Sequence, residues 1–265
     1  MADASAYAAP TPKAFYIHDD LSDYVHRRHG PTSPAWQLTQ ELFTSVQREA
    51  SHVHVLTLDK QIEQLLSRGD HTPFAMTIGI GSAGERVAHL LHARTGWFPT
   101  CHRVGVTREE DGHGGYRIVS TTDRSLQEQL AGVHEASSLA IVDDTLFSGV
   151  TMRTVLQTLP PEVRARAHAF CLRGVAASIP GITALCPLTI GFAAPGSLLD
   201  EVSFINASGM VMRVGIRRSG LPPQAFFERP MWMHVWFPGY SNDVIALCRQ
   251  LNALLEPDGQ PASFP

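Results

Sequence analysis

The chemistry-bearing residues of this chain concentrate where an apolar run meets two consecutive acids. Leu139 to Val142 are apolar, Asp143 and Asp144 follow at once, and Thr145, Ser148 and Thr151 set hydroxyls around Gly149. A short, fully apolar run bounded by turn residues reads as a buried strand. Such a strand delivers its last residues to the carboxyl edge of a sheet, where open α/β folds hold their ligands. The helix expected after this loop starts with N–H groups that lack intrahelical partners and attract anions. Two carboxylates beside that cradle would repel a bare anion. They suit a ligand that also offers them hydroxyls or a divalent cation, and a phosphorylated sugar with a vicinal diol satisfies both halves. The plainer reading, acids that end a strand and cap a turn, is not separated from this one by residue types alone.

A second candidate lies upstream, where Gly79, Gly81 and Gly84 spell GxGxxG between an apolar strand and a helix. The dinucleotide fingerprint wants an acid about twenty residues further on. Arg103 and Val104 stand there instead, and Glu109 comes late. A dinucleotide site would also leave the acidic loop unexplained. The turn therefore reads better as a phosphate cradle of Gly81, Ser82, Ala83 and Gly84, or as a structural tight turn. Thr107 to Arg117 is polar and Gly-rich, which predicts a mobile hairpin.

The elements that must position these residues follow from periodicity. Phe74–Ile80, Cys101–Thr107, Ser138–Val142 and Ala167–Arg173 read as strands, with helices from the Gly79–Gly84 turn and over Thr151–Leu159. Strands alternating with helices predict an α/β fold with a mostly parallel sheet flanked by helices. Tyr116–Thr121 partners the strand before it, and Ser125–Val133 is helical. Before this core, Pro34–Ala50 predicts a helix that starts near Ser33 and Pro34, His52–Leu58 a strand, and Asp59 the cap of a helix that stops at Gly69. After Pro195, Met210–Arg217 and Met231–Phe237 read as strands of a smaller β-rich element, and Ser241 caps a last helix. The domain reading is a flexible leader at 1–12, an N-terminal helical segment at 13–70, the α/β core at 71–194, a C-terminal segment at 195–256 and a frayed tail at 257–265.

Composition removes several classes. Hydrophobic residues are 44% and charged residues 17% of the 265, as in ordinary globular chains. A formal charge of −4 argues against a general polyanion binder, so no nucleic-acid partner is expected. No apolar run reaches the ~18–20 residues of a membrane helix, and Met1–Pro12 lacks the basic start and apolar centre of a signal peptide. Cys101, Cys171, Cys186 and Cys248 form no CxxC pair, which fits a reducing, cytoplasmic setting. The 13 histidines include the pairs His52/His54 and His89/His92, neither with a carboxylate at ligand spacing.

All thirteen positions from Leu139 to Thr151 resemble the phosphoribosyl pyrophosphate loop of the type I phosphoribosyltransferases: four apolar residues, two acids, two mostly apolar residues, then small or hydroxylic ones around Gly and Thr. The resemblance implies that family's α/β fold, here with an enlarged hood from both chain ends. It implies Mg2+-dependent transfer of ribose 5-phosphate from phosphoribosyl pyrophosphate to a nitrogen of a small acceptor, in a protein that pairs as a homodimer. Asp143 and Asp144 would hold the ribose hydroxyls and, through them or water, the magnesium. Thr145, Leu146, Phe147, Ser148, Gly149, Val150 and Thr151 would wrap the 5-phosphate. Gly81 to Gly84, in a turn that often carries a cis or strained peptide, would face pyrophosphate with Arg103, and Arg108 on the flexible loop would serve catalysis. Asp144→Asn is then expected to abolish transfer and leave the fold intact.

Phe147 departs from the purine-using relatives that carry an acid there as a base toward the purine, although uracil-type and regulatory members also lack it. Trp232 and Phe237, in the most aromatic run of the chain, are the candidates for stacking on an acceptor ring; aromatics at such spacing otherwise form plain core. Two other readings remain: a regulatory protein that senses phosphoribosyl pyrophosphate or a nucleotide, and a nicotinamide-dependent oxidoreductase using Gly79 to Gly84.

Overall fold

The computed structural model describes residues 13–68, 72–110, 116–198, 201–216 and 222–257. The leader at 1–12, Gly69, the tip of the hairpin at 111–115 and nearly all of the tail at 257–265 lie outside the described residues. In chain order the strands are β1 (Ala14–Asp19), β2 (Val53–Thr57), β3 (Met76–Ile80), β4 (Cys101–Val104), β5 (Val106–Glu110), β6 (Tyr116–Ser120), β7 (Leu139–Leu146), β8 (Ala167–Val175), β9 (Leu188–Ala194) and β10 (Val202–Asn206). The chain divides into two compact units, 59–196 and the two ends together, 1–58 with 197–265.

In the unit 59–196, five strands pair in the order β4-β3-β7-β8-β9, all parallel. Counted within this sheet the order is 2-1-3-4-5, so the chain leaves β3 toward one edge and β7 toward the other. The first four residues of β7, Leu139 to Val142, are wholly buried, which is why that stretch is continuously apolar instead of alternating. Alternation serves two faces elsewhere. Ile78 and Ile80 of β3 join a core cluster with Met152, Val155 and Leu156 of the helix Val150–Thr158. Gly79 turns the other way, under the helix Gly81–Thr95.

The glycines of the 79–84 turn have separate tasks. A Cβ at Gly79 would lie 2.5 Å from the Glu85 Cα, and one at Gly84 would lie 2.3 Å from the Val142 carbonyl oxygen. Gly81 has φ +62°, a left-handed conformation that side chains disfavour. The helix can therefore start immediately after β3 and press against the backbone of β7. Its peptides, like all those of the described residues, are trans, so of the cis or strained peptide expected here the cis form is absent and Gly81 takes the left-handed turn.

β5 and β6 form an antiparallel hairpin set apart from the main sheet. The strand expected over Cys101–Thr107 is broken at Gly105, where a Cβ would meet the Thr121 hydroxyl oxygen at 2.6 Å. Asp59 is the second residue of the helix Leu58–Leu66 and not its cap, and it accepts from Arg94. This helix lies almost entirely within the unit that contains the main sheet and not, as its place in the sequence suggests, with the N-terminal segment.

The other unit contains its own parallel sheet, β10-β1-β2. Ser33 caps the helix Pro34–Val46 as expected, its Oγ accepting from the Trp36 N–H at 3.1 Å. Two expectations fail here. Met231–Phe237 is helix over Pro230–Trp236, and Met210 lies in the short helix Ala207–Val211. In the first, Pro230 at the opening turn sets a helical φ, and the aromatic spacing serves helix packing. Phe15 stacks on Trp236 at 5.0 Å and meets Phe237 edge-on at 5.6 Å.

The packing yields a direct test. Gly84→Ala is expected to destabilise the protein by about 1–3 kcal/mol or more, because the new methyl collides with backbone that cannot move aside. Urea melts of the variant measure it; an unchanged midpoint would contradict the described approach of helix and strand.

Candidate functional site

The carboxyl ends of β3 and β7 are neighbours whose chain continuations diverge, which opens a crevice at the edge of the sheet. A cleft of about 250 Å3 lies there. Its walls are Ile80 to Ala83 from the first turn, Val106 to Arg108 from the hairpin, Asp143 to Phe147 from the end of β7, and Gly149 to Met152 from the next helix. Two helix starts face it. Neither Gly81–Thr95 nor Val150–Thr158 has a side-chain cap on its first turn. The leading N–H groups of both helices are thus the ones left for a ligand. Gly149, at φ +73°, makes the turn into the second helix.

The carboxylates differ in surroundings. The Asp144 N–H donates to Asp143 Oδ1 at 2.8 Å. Burial pushes the Asp143 carboxyl well above the usual carboxylate range, and the charge of Asp144 pushes it further; Arg108 opposes both. Arg108 lies over the Phe147 ring, its Cζ 5.6 Å from the centroid, an arrangement that attracts a cation to the ring face. Asp144 is instead tied from below: Arg173 Nη2 donates to its Oδ2 at 3.0 Å. Arg173 is 1% exposed and Asp144 17%. Hydroxyls complete the lining, and the buried Thr145 Oγ1 has no hydrogen-bond partner among the described residues.

Of the residues singled out from sequence, the cleft gathers Asp143, Asp144, Thr145, Leu146, Phe147, Gly149, Val150 and Thr151, together with Gly81, Ser82, Ala83 and Arg108. Others lie elsewhere. Gly84 is spent on the contact with Val142. Ser148 is outside the lining, and its carbonyl accepts from Arg153 at 3.3 Å. Arg103 is half exposed on β4, 3.8 Å from Glu85, and is not among the cleft walls. Trp232 and Phe237 belong to the other unit; Phe237 is 0% exposed in its core, which leaves it no free face for stacking, and Trp232 is 37% exposed.

Sequence reasoning missed Arg173 and Gln61. Arg173 Nη1 also donates to Gln61 Oε1 at 3.3 Å, and Gln61 is buried. The available signal was a charge inside the apolar strand Ala167–Val175, since a buried charge demands a partner. Finding that partner needs the register: Thr145 lies opposite Arg173, and the ladder skips the Asp144 pair. Facing also shifts along β8. Cys171 and Gly174 both turn toward the cluster that holds Leu146 and Ile190, although strict alternation would separate residues three apart. The irregularity lets Arg173 reach the helix Leu58–Leu66.

No family model and no curated protein matches the chain. Solved structures resemble it at low identity. One is a hypothetical protein from Neisseria gonorrhoeae with bound ppGpp, at 15% identity and a TM-score of 0.37, covering 62% of this chain and 84% of that one. A purine phosphoribosyltransferase from Pyrococcus horikoshii shares 17% at a TM-score of 0.31, over 64% of this chain and 87% of that one. An adenine phosphoribosyltransferase from Thermoanaerobacter pseudethanolicus shares 14% at 0.34, over 57% and 86%.

The Asp143 environment predicts a pH dependence with a definite sign. Its folded-state pKa is raised from 3.8, so the native state holds a proton that the unfolded chain releases, and stability falls as pH rises through that window. Asp143→Asn removes the ionisation. The variant should be more stable than wild type at neutral pH, with the gap closing as pH falls toward about 4. Denaturant melts across that range measure it; a variant less stable at neutral pH would contradict the assignment.

Proposed function

We propose that the unit 59–196 binds phosphoribosyl pyrophosphate and transfers its ribose 5-phosphate to a nitrogenous small molecule with release of pyrophosphate. The observation that carries this reading is the meeting, in one cleft, of an acidic strand end with two uncapped helix starts. The first grips hydroxyls and the second grips phosphates, and few ligands offer both.

In this reading Asp143 accepts hydrogen bonds from the ribose hydroxyls. The N–H groups and hydroxyls of the loop to Thr151 hold the 5-phosphate. Gly81 to Ala83 face the pyrophosphate, and Arg108 offsets charge on it as the bond breaks. Preorganised donors aimed at developing charge are worth more in a shielded cleft than in water, and the hairpin that carries Arg108 can exclude water from a sugar that would otherwise be hydrolysed. Phe147 accepts no proton, so the acceptor must arrive needing no base from this loop. The donor set suits magnesium, a hard cation that takes one or two carboxylates together with substrate oxygens. Asp143 and Asp144 would hold it, and it would supply neutralisation of the pyrophosphate charge.

A second reading, a protein that binds the same ligand as a signal, is favoured by the engagement of Asp144 with Arg173 and by Phe147, which together leave the cleft better furnished for binding than for proton transfer. The dinucleotide reading has less support. Gly84 packs helix on strand as a fingerprint glycine would, but β4, which should end in an acid, reads Cys-His-Arg-Val.

A thermal-shift panel separates the three. Phosphoribosyl pyrophosphate with magnesium, at about a hundred times its dissociation constant, should add ~2.7 kcal/mol of stability. Pyrophosphate release with a panel of bases then marks the transferase, stabilisation without release marks the sensor, and stabilisation by a dinucleotide alone would overturn both.

A further inference from the structure

We propose that Arg173 is a positioning residue: held at one side by Gln61, it fixes Asp144 at the edge of the cleft and cancels its charge, so that the site can accept a phosphorylated ligand. The proposal rests on the reading of the cleft as a phosphoribosyl pyrophosphate site. Its physical basis is the charge around the crevice. Two carboxylates on consecutive residues face a space that must also take phosphates. Arg108 arrives from the hairpin and lies over Phe147, against one side of the pair. Arg173 supplies the second positive charge from beneath the sheet edge, where it is 1% exposed and does not line the cleft. Arg173 thus balances the Asp144 carboxylate inside the protein, and the positive charge of Arg108 is left on the cleft wall to meet a phosphorylated ligand.

The geometry gives more than charge. Arg173 donates through separate nitrogens, Nη2 to Asp144 at 3.0 Å and Nη1 to Gln61 at 3.3 Å. A guanidinium held at both ends cannot swing, and the bond to one oxygen of Asp144 limits how that carboxylate rotates. The helix Leu58–Leu66 thereby acts on the cleft through one residue. The arrangement also adds to an expectation: Asp144→Asn should cost stability as well as transfer, because it leaves a buried guanidinium opposite a neutral amide.

Two measurements test the proposal. The first is a double-mutant cycle on the folding equilibrium with Asp144→Asn, Arg173→Met and the pair. Coupling of about fivefold or more in the folding constant is expected for groups in one charge network; coupling indistinguishable from zero overturns the brace. The second is calorimetric titration of phosphoribosyl pyrophosphate with magnesium into wild type, Gln61→Met, Arg173→Met and Arg173→Lys, below their melting temperatures. Gln61→Met, which leaves every cleft residue in place, should bind about tenfold more weakly, or 1.4 kcal/mol. Arg173→Lys should recover part of the affinity that Arg173→Met loses. A role confined to stability would lower melting without changing affinity, and that result overturns positioning. Should wild type bind none of the probe, the functional reading fails, the positioning role falls with it, and the cycle still judges the brace.

Discussion

Two like charges on neighbouring residues at the end of a buried strand are the constraint around which this site is organised. Asp143 and Asp144 cannot both be ionised there without help, since burial and mutual repulsion act in the same direction. Each has a different remedy. Asp144 is compensated by a guanidinium from the adjacent strand, whereas Asp143 keeps a raised affinity for its proton and is the group available to a ligand. The pair is chemically asymmetric although the sequence repeats the same residue.

That asymmetry depends on backbone packing. The acids sit at the crevice because β3 and β7 are adjacent and their continuations part. The first helix can lie close enough to complete the crevice only because position 84 has no side chain against Val142. Gly81 turns the chain into that helix and Gly149 turns it into the second. Glycines that look like a nucleotide signature are here explained by contact distances, and they would be required by any ligand that uses both helix starts.

Much of this was legible from sequence, for identifiable reasons. The buried run Leu139–Val142, the acids and the hydroxyl-rich turn announce themselves locally, as do helices with clear caps such as the one at Ser33. What escaped depends on contacts distant in sequence. Arg173 lies 29 residues from its partner Asp144, and the pairing is set by strand register. Arg103 was a reasonable candidate by proximity in sequence, but Glu85 pairs with it outside the cleft. The aromatic run at 231–237 carries helical as well as strand spacing, and Pro230 decides in favour of helix. The strands β1 and β10 were missed because each completes a small sheet between chain ends almost two hundred residues apart.

A crystal structure of the protein with magnesium and phosphoribosyl pyrophosphate would be the most direct examination of these ideas. The account expects the 5-phosphate against the backbone of residues 149–151, the ribose hydroxyls on Asp143, and the pyrophosphate beside Gly81 to Ala83. A ligand bound away from the end of β7, or one whose sugar makes no contact with Asp143, would contradict it.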